Sequence, residues 1–259
     1  MKPLVQVQDV SFKIRDKHLL QNISLSLYPG ELVVIIGRNG AGKSTLLKQL
    51  TGELTPYAGK IQILDKDLNN HDPKELAQRR AVLAQSTHLS FNYQVLEVVM
   101  LGRIPHQRFQ KESHRDHEVA LRAIKSVGLE GYEERDYLTL SGGEQQRVHL
   151  ARVLAQLEGP ALEKILFLDE PTSSLDIAHQ HQVLKIAKEF AKGQHGVLAV
   201  LHDLNLASQY ADRIVILSDG QVAAMGAPRE VLTAKILSEA FHHPVQILEH
   251  PILGCPLIV

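Results

Sequence analysis

One loop restricts what this chain can fold into more than any other stretch. Residues 37–44 read Gly-Arg-Asn-Gly-Ala-Gly-Lys-Ser. An apolar, β-branched run at residues 31–36 precedes the loop and predicts a strand, and residues 45–50 after it have helical spacing. A strand, a glycine-rich loop and a helix in this order are the context in which such a loop binds phosphate. The glycines let consecutive amide groups turn towards an anion, and the helix N-terminus adds its positive end.

The loop predicts a nucleotide site that also takes a divalent cation. Lys43 is expected to reach the β- and γ-phosphates, and the Ser44 hydroxyl is expected to ligate Mg²⁺. The alternative, a glycine-rich turn that fits the pattern by chance, does not account for the strand and helix on either side. The residues predicted to bind the nucleotide are Gly37, Arg38, Asn39, Gly40, Ala41, Gly42, Lys43, Ser44 and Thr45.

Composition excludes several classes of protein. The 28 Lys and Arg residues balance 29 Asp and Glu residues, so no nucleic-acid partner is expected. The single cysteine, Cys255, cannot form an internal disulfide, which fits a reducing compartment. The N-terminus lacks an apolar signal segment, and no apolar run approaches the ~20 residues that span a bilayer. We expect a protein of cytoplasmic character that meets a membrane only through a partner.

Hydrophobic patterning predicts an α/β fold. Alternating segments predict the strands of an antiparallel sheet, at residues 4–10, 23–27 and 59–64. Continuous apolar runs predict parallel strands buried on both faces, at residues 165–168 and 197–201. Residues 86–139 have helical character. The expected fold is therefore a P-loop NTPase core with a parallel sheet, an N-terminal antiparallel β subdomain and a helical insert subdomain.

Two further motifs carry chemistry. The strand at residues 165–168 ends in Asp169 and Glu170, of which one acid is needed for the Mg²⁺ water shell and the other can polarise an attacking water. Ser141 and Glu144 form a predicted capping box that begins a helix. Capping does not explain Gly142 and Gly143 in the first turn, since each glycine lowers helix propensity by ~1 kcal/mol. A ligand that approaches the backbone would explain them, and a bare helix N-terminus would be a second anion site.

Residues 140–147, Leu-Ser-Gly-Gly-Glu-Gln-Gln-Arg, resemble the signature motif of ABC-type ATPases, and they lie upstream of the acidic strand as in that family. The resemblance extends from residue 4 to about residue 237. It implies one ABC ATPase domain across residues 1–259. Its core with the antiparallel β subdomain would take residues 1–85 and 140–240, the helical subdomain residues 86–139, and a C-terminal extension residues 241–259.

The resemblance also implies roles for single residues. The expected catalytic residues are the base Glu170, the switch histidine His202 and the Q-loop glutamine Gln85. The expected metal ligands are Ser44, Gln85 and Asp169. The family's signature and D-loop (here residues 174–176) contact the nucleotide across a dimer, which adds Ser141, Gly142, Gly143, Glu144 and Asp176 to the nucleotide-binding residues. The resemblance also places Asp169 and Ile14 in this set. One position departs from the pattern, because Ile14 stands where the family usually stacks an aromatic on the adenine, and Phe12 is two residues early.

Several stretches resemble the ATPase subunits of iron-chelate, cobalamin and haem importers. They are residues 100–106, 175–180 and 202–207, and the long connection at residues 156–164 is most like the hemin-importer type. This resemblance implies ATP and Mg²⁺ as cofactors and a homodimer beneath two integral membrane permease subunits. It places the protein peripherally on the cytoplasmic face of a bacterial inner membrane, served indirectly by a periplasmic substrate-binding protein. A groove beside Gln85, lined by parts of residues 89–106, would receive a cytoplasmic helix of the permease.

Other functions stay open at this point. An iron-siderophore or cobalamin importer would share these features, and a soluble ABC ATPase of iron–sulfur cluster assembly would have a similar size. Translation factors usually carry two ATPase units and repair ATPases a long coiled coil, and this chain has neither. The 14 histidines, among them His179, His181, His242 and His243, are expected to be solvated or structural rather than haem ligands.

Overall fold

The computed structural model describes residues 1–85, 89, 91–107, 111–173 and 175–259. These residues form two compact units, Met1–His71 with Ala187–Val259, and Asp72–Ile186. The strands in chain order are β1 (Val5–Ile14), β2 (Lys17–Leu27), β3 (Leu32–Gly37), β4 (Ala58–Ile63), β5 (Lys66–Asp67), β6 (Arg80–Leu83), β7 (Ile165–Asp169), β8 (Gly196–Val200), β9 (Arg213–Ser218), β10 (Gln221–Gly226), β11 (Ile247–Glu249) and β12 (Pro256–Ile258). The helices are α1 (Lys43–Leu50), α2 (Pro73–Ala77), α3 (Val95–Met100), α4 (His114–Ser126), α5 (Gly142–Leu157), α6 (Ile177–Ala191), α7 (Leu204–Tyr210), α8 (Pro228–Val231) and α9 (Ala234–Phe241), with 3₁₀ helices at Leu68–Asn70, Leu101–His106 and Tyr137–Thr139.

The first unit contains strands of three sheets, of which the smallest is the antiparallel pair β11-β12. An antiparallel sheet has the strand order β2-β1-β4-β5. The second follows the order β10-β9-β3-β8, in which β3 runs parallel to both β8 and β9. Every residue of β3 and β8 is buried, which explains why these strands read as unbroken apolar runs. The predicted antiparallel and parallel sheets are therefore confirmed.

The second unit combines a parallel strand pair with helices. Strand β6 pairs with β7 in parallel, and all five residues of β7 are buried. Helices α3 and α4 pack against α5, as does the 3₁₀ helix Leu101–His106. The helical character predicted for residues 86–139 is confirmed for α3 and α4, whereas the predicted subdomain boundaries stay a prediction.

Strand β2 begins at Lys17, before its predicted start at residue 23, and β1 also extends beyond its prediction. Strand β1 continues four residues past the predicted end at residue 10 and reaches Ile14. Register shifts against β2 interrupt the pairing on both sides of Val10, and Asp9 has a φ of 50°. These irregularities break the alternation of buried and exposed residues on which the prediction depended. Residues 11–14 of the strand were therefore not predicted.

Candidate active site

The phosphate loop lies between β3 and α1 in the first unit. Gly37 ends β3 with a φ of 154°, and a Cβ there would lie 2.3 Å from the carbonyl oxygen of Leu217 on β9. Lys43 is buried, and its Nζ donates hydrogen bonds to the carbonyls of Gly37 at 2.8 Å and Arg38 at 3.0 Å. The lysine ammonium is thus held against the backbone of the loop that precedes it.

Helix α1 begins without a side-chain cap. Its N-cap, Gly42, has a left-handed φ of 103°, and a Cβ there would lie 2.6 Å from Cδ2 of Leu20 on β2. The first amides of a helix have no carbonyl of their own helix to bind, so an uncapped N-terminus offers N–H groups to an anion. Ser44 and Thr45 are half-buried in this turn. The exposed residues of the loop are Arg38, Asn39 and Gly40, whereas Ala41 is buried.

The two acids lie at the carboxyl end of β7 in the second unit. Asp169 and Glu170 are both buried. Nε2 of Gln85 donates a hydrogen bond to Oε2 of Glu170 at 2.5 Å. The structure therefore brings together two predicted site residues that stand far apart in the sequence. Because the amide nitrogen of Gln85 is engaged, its amide oxygen is the atom that can ligate a cation.

The turn that carries Glu170 is held by residues that sequence reasoning missed. Nε2 of Gln146 on α5 donates to the carbonyl of Pro171 at 2.9 Å, and Oγ of Ser173 donates to the carbonyl of Glu170 at 2.9 Å. Glu170 has a φ of 50°, a left-handed conformation that is unfavourable for a residue with a Cβ. In the sequence, Gln146 is only the second of two consecutive glutamines in a predicted helix. Helix propensity does not distinguish it from its neighbour.

Each of the predicted metal ligands carries an oxygen donor, the ligand type that Mg²⁺ prefers. Asp169 supplies a buried carboxylate, Gln85 an amide oxygen, and Ser44 a hydroxyl in the first turn of α1. None of these donors is a soft sulfur ligand. Ser44 belongs to the first unit, and Gln85 and Asp169 belong to the second.

Helix α5 begins with a complete capping box. Oγ of Ser141 accepts a hydrogen bond from the amide of Glu144 at 3.3 Å. Oε2 of Glu144 accepts from the amide of Ser141 at 2.8 Å and from its hydroxyl at 2.7 Å. The hydroxyl bond from Ser141, with the amide bond second, holds the pKa of the Glu144 carboxyl below its usual value.

The prediction of a bare N-terminus at this helix needs correction. A carboxylate already lies against the first turn of α5, because Glu144 bonds back to Ser141. The amides of Gly142 and Gly143 precede any carbonyl of their own helix that they could bind. A Cβ added to Gly142 would meet no atom within 4 Å, so the space beside this glycine is open. The signature helix therefore keeps room for a ligand next to an occupied cap.

The predicted D-loop is described in part. Ser174 lies outside the described residues. Oδ1 of Asp176 accepts from the amide of His179 at 2.9 Å and contacts its ring Nδ1 at 2.8 Å. The backbone hydrogen bond from His179, with the ring contact second, holds the pKa of the Asp176 carboxyl below its usual value. His202 is exposed between β8 and α7 in the first unit.

Ile14 lies at the exposed end of β1, where it pairs with Lys17 across the hairpin. Its side chain is 56% exposed, so an apolar surface is open at the position where the family stacks an aromatic. Phe12 is half-buried opposite Leu20, the residue whose side chain approaches Gly42. The two candidates for base contact thus differ, Ile14 being open to a ligand and Phe12 partly packed.

A groove of about 520 Å³ lies on the second unit between α3, the 3₁₀ helix Leu101–His106 and the start of α4. Its walls combine apolar side chains with two acids. The lining residues are Tyr93, Leu96, Glu97, Met100, Leu101, Ile104, Gln107, Glu112 and His117. This groove coincides with part of the region predicted to receive a permease helix, although Ser90 of that region lies outside the described residues.

Arg103 anchors one wall of this groove to the end of α5. The buried guanidinium donates to the carbonyls of Ala155 at 2.5 Å and Glu158 at 2.6 Å, and pairs with Asp116 at 2.9 Å. Burial alone would raise the pKa of the Asp116 carboxyl, but hydrogen bonds from Ser113 and Arg103 outweigh burial and hold that pKa below its usual value. A cation therefore neutralises the carbonyl end of the signature helix.

Two neighbours of Arg103 make the same connection. A Cβ on Gly102 would lie 2.2 Å from the carbonyl oxygen of Arg152, so only glycine allows this approach. Nε2 of His106 contacts the carbonyl of Gln156 at 2.7 Å, and burial lowers the pKa of this imidazole. The stretch at residues 100–106, associated with importers in the sequence, thus has a packing role against α5.

None of the helices in the described part of the chain has the length and apolar character that crossing a membrane requires.

Comparisons with known proteins relate these features to named relatives. A family profile described as ABC transporter matches residues 20–173. The hemin import ATP-binding protein HmuV of Deinococcus radiodurans is 52% identical over 257 residues, which cover 99% of this chain and 97% of the relative. An inward-facing metal-chelate type ABC transporter is similar with a TM-score of 0.84 at 28% identity, covering 100% of this chain and 97% of that one. A dimeric ATP-binding cassette bound to ADP and Pi has a TM-score of 0.73 at 29% identity, covering 86% of this chain and 98% of that one.

Proposed function

Because this chain belongs to the ABC transporter family, we propose that it is the ATP-hydrolysing subunit of an importer that carries hemin. Similarity to the D. radiodurans hemin import protein along nearly the whole chain supports the cargo. The observation that carries the hydrolytic role is the contact between Gln85 and Glu170 at 2.5 Å, where a buried strand ends. It joins the proposed base to a residue that can hold both the cation and the reacting water.

The phosphate loop binds the nucleotide in this proposal. The uncapped amides of α1 and the Lys43 ammonium bind the phosphates of ATP. Ser44, Gln85 and Asp169 would hold Mg²⁺, which would supply positive charge to offset the charge that develops on the phosphate oxygens. Ile14 gives the adenine an apolar contact without ring stacking.

Hydrolysis requires a base and a group that holds the γ-phosphate. Glu170 takes the proton from the attacking water, and its hydrogen bond from Gln85 fixes the direction of its carboxylate. His202 donates a hydrogen bond to the γ-phosphate as the reaction proceeds. Gln146 holds the turn that carries Glu170 by donating to the carbonyl of Pro171, so the base stays in place between turnovers.

Two copies of the chain share each ATP in this proposal. Lys43 of one copy contacts the phosphates from one side, and Ser141, Gly142 and Gly143 of the partner subunit contact them from the other. Asp176 connects the two sites across the dimer. The Ser141 hydroxyl, which donates to Glu144 in the single chain, must turn from that carboxylate to the phosphate.

Glu170→Gln tests the hydrolytic role. The variant should bind MgATP and accumulate a closed dimer, yet lose about 10²–10⁴-fold in turnover, because general-base removal has that typical effect. Glu189→Gln, an exposed position on α6, is the matched control and should hydrolyse ATP normally. Near-normal steady-state hydrolysis by Glu170→Gln would refute the assignment.

A mixed dimer tests the shared site. One copy carries Lys43→Ala and the other Ser141→Arg, so that shared sites leave one site intact and the other with both lesions. A wild-type/Lys43→Ala dimer also keeps one intact site and is the control. Similar single-turnover amplitudes in the two dimers support sharing, whereas a dead double mixture beside an active control would show that each site lies within one subunit.

We assign the groove between α3 and α4 to a membrane permease subunit. Its apolar walls suit the apolar face of a helix, and Glu97 and Glu112 suit a basic residue on that helix. Leu96→Arg should block co-purification with the permease while the isolated subunit still binds ATP. Leu121→Arg on α4 replaces an exposed leucine that lies outside the lining residues, so this variant should leave the complex intact. Equal loss from both variants would contradict this docking site.

The cargo is tested on the assembled importer. Placement on the cytoplasmic face of the inner membrane follows from a complex with two permease subunits. A hemin-loaded periplasmic binding protein should stimulate ATP hydrolysis, whereas iron-siderophore-loaded or cobalamin-loaded ones should not. The isolated subunit should not bind hemin stoichiometrically, and a one-to-one Soret shift abolished by His179→Ala would overturn the view that its histidines serve other purposes.

A further inference from the structure

The helix that follows His202 is bound to the C-terminal strand of the chain. Asn205, in the first turn of α7, donates through Nδ2 to the carbonyl of Ile258 at 3.1 Å and accepts from its amide through Oδ1 at 2.8 Å. One turn later, the buried Ser208 donates through Oγ to the carbonyl of Pro256 at 2.6 Å. Two polar side chains of α7 thus complete the hydrogen bonding of β12 as a neighbouring strand would.

The C-terminal hairpin has a second attachment. Strands β11 and β12 form three residue pairs. At the turn between them, Arg229 of α8 pairs with Glu249 at 3.0 Å and donates to the carbonyl of Gly254. The hairpin is therefore fixed at one end through α7 and at the other through α8.

The contact between Asn205 and Ile258 helps to hold α7, which is a short helix. A helix of seven residues is too short to hold its shape without tertiary contacts. Asp203 caps it by accepting from the amides of Asn205 and Leu206. His202 directly precedes this cap, so the direction of its side chain depends on how the first turn of α7 is held. Asn205 lies in that turn and ties it to β12.

We infer that Asn205 is a positioning residue for His202, and that the C-terminal hairpin acts as the brace to which it is tied. This inference rests on the proposed hydrolytic function. It assigns a role to the C-terminal extension that the nucleotide-binding motifs leave unexplained. The phosphate loop lies between β3 and α1 and has no part in the contacts of α7 with β12, so the brace should affect the hydrolytic step and not nucleotide affinity.

Asn205→Ala in the full chain is the test. Steady-state hydrolysis should fall about tenfold in kcat, because small displacements of a reacting group lower rates strongly, while KM for ATP stays within about twofold. Arg229→Ala loosens the other attachment of the same brace, so kcat should also fall, by less than in Asn205→Ala. Glu189→Gln, the exposed control position on α6, should leave kcat unchanged. In a His202→Ala background, single-turnover rates with and without Asn205→Ala should agree within about twofold, since the residue to be positioned is gone.

A measurement without turnover separates this inference from the proposed function. Hydrogen–deuterium exchange at the amides of residues 202–206 should accelerate in Asn205→Ala and not in the control Glu189→Gln. If exchange accelerates as expected but the wild-type chain does not hydrolyse ATP, the proposed function fails while the brace stands. Unchanged exchange, a rise in KM without loss of kcat, or an equal loss in the His202→Ala background would overturn the inference.

Discussion

Helices α1 and α5 both follow glycine-containing motifs proposed to meet the same phosphates, but their N-termini are built in opposite ways. Helix α1 begins at Gly42 with no side-chain cap, whereas α5 begins at Ser141 with a reciprocal capping box. The first turn of α1 therefore presents backbone N–H groups that no side chain of the described residues caps, and the buried Lys43 lies in the same turn. Helix α5 has already satisfied part of its N-terminus with its own carboxylate, Glu144.

The C-terminal turns of the two helices also differ, since polar groups of α5 are satisfied there and, within the described part of the chain, a polar side chain of α1 is left unsatisfied. In the last turn of α1, Gln49 is fully buried, and neither amide atom has a hydrogen-bond partner among the described residues. In the last turn of α5, Arg103 donates to two carbonyls. The comparison shows that side chains satisfy polar groups at both ends of α5, which suits a helix that keeps its shape. In α1, the N-terminal amides are open to a ligand, and the Gln49 amide is buried without a partner among the described residues.

The largest effect on stability is expected at the C-terminal turn of α5, where Arg103 binds two carbonyls and pairs with Asp116. Arg103→Met leaves the buried Asp116 without its cation and should lower the free energy of unfolding by about 3–5 kcal/mol. Urea unfolding measures this change. The double variant Arg103→Met/Asp116→Leu removes the unpaired carboxylate as well and should recover part of the loss. An Arg103→Met protein as stable as the wild type would show that this end of α5 does not depend on its cation.

Lys43→Ala should have the opposite profile, affecting binding more than folding. Loss of a charge-assisted contact is worth about 1.5–3 kcal/mol, so ATP affinity should fall about 10–100-fold. Calorimetric titration of the nucleotide-free subunit gives the value. Lys48→Ala, an exposed lysine on the same helix, is the control and should bind ATP normally. If the two variants bind equally well, α1 is not the open phosphate site.

The sequence predicted the phosphate loop before α1 better than it predicted the contacts of α5. Residues 37–44 specify their conformation locally, through glycines and the flanking strand and helix, so pattern and structure agree there. Gln146 and the Arg103 contacts to α5 were not predicted, because they join segments distant in sequence and no local pattern encodes the pairing. The capping box at Ser141 was predicted from spacing and is confirmed, and the structure adds that the Ser141 hydroxyl itself donates to Glu144.

Gln49→Leu should stabilise the protein. An unsatisfied buried amide is destabilising, so an apolar side chain of similar size should raise the free energy of unfolding by about 1–2 kcal/mol. ATP affinity should not change, since the residue lies at the far end of α1 from Lys43. Gln49→Glu is the matched comparison and should destabilise, because it buries a charge in the same place. A less stable Gln49→Leu protein would mean that the amide has a partner in solution.

Ser141→Ala should have the smallest effect on folding. Loss of an N-cap typically costs about 1 kcal/mol, and Ser113→Ala removes the equivalent cap of α4 at a similar cost. Thermal unfolding should therefore not separate the two variants. ATP hydrolysis should, since only Ser141 is proposed to contact phosphate across the dimer. Equal activity of the two proteins would reduce the signature serine to a helix cap.

The left-handed backbone of Glu170 has a consequence for laboratory evolution of this protein. A residue with a Cβ adopts that conformation at an expense of about 1–2 kcal/mol, whereas glycine does so freely. A library selected only for heat resistance would accumulate Glu170→Gly wherever the relieved backbone outweighs the lost hydrogen bond from Gln85, and this substitution removes the proposed base. Thermostable survivors would be enriched in inactive clones, so any such campaign needs a catalytic readout in every round.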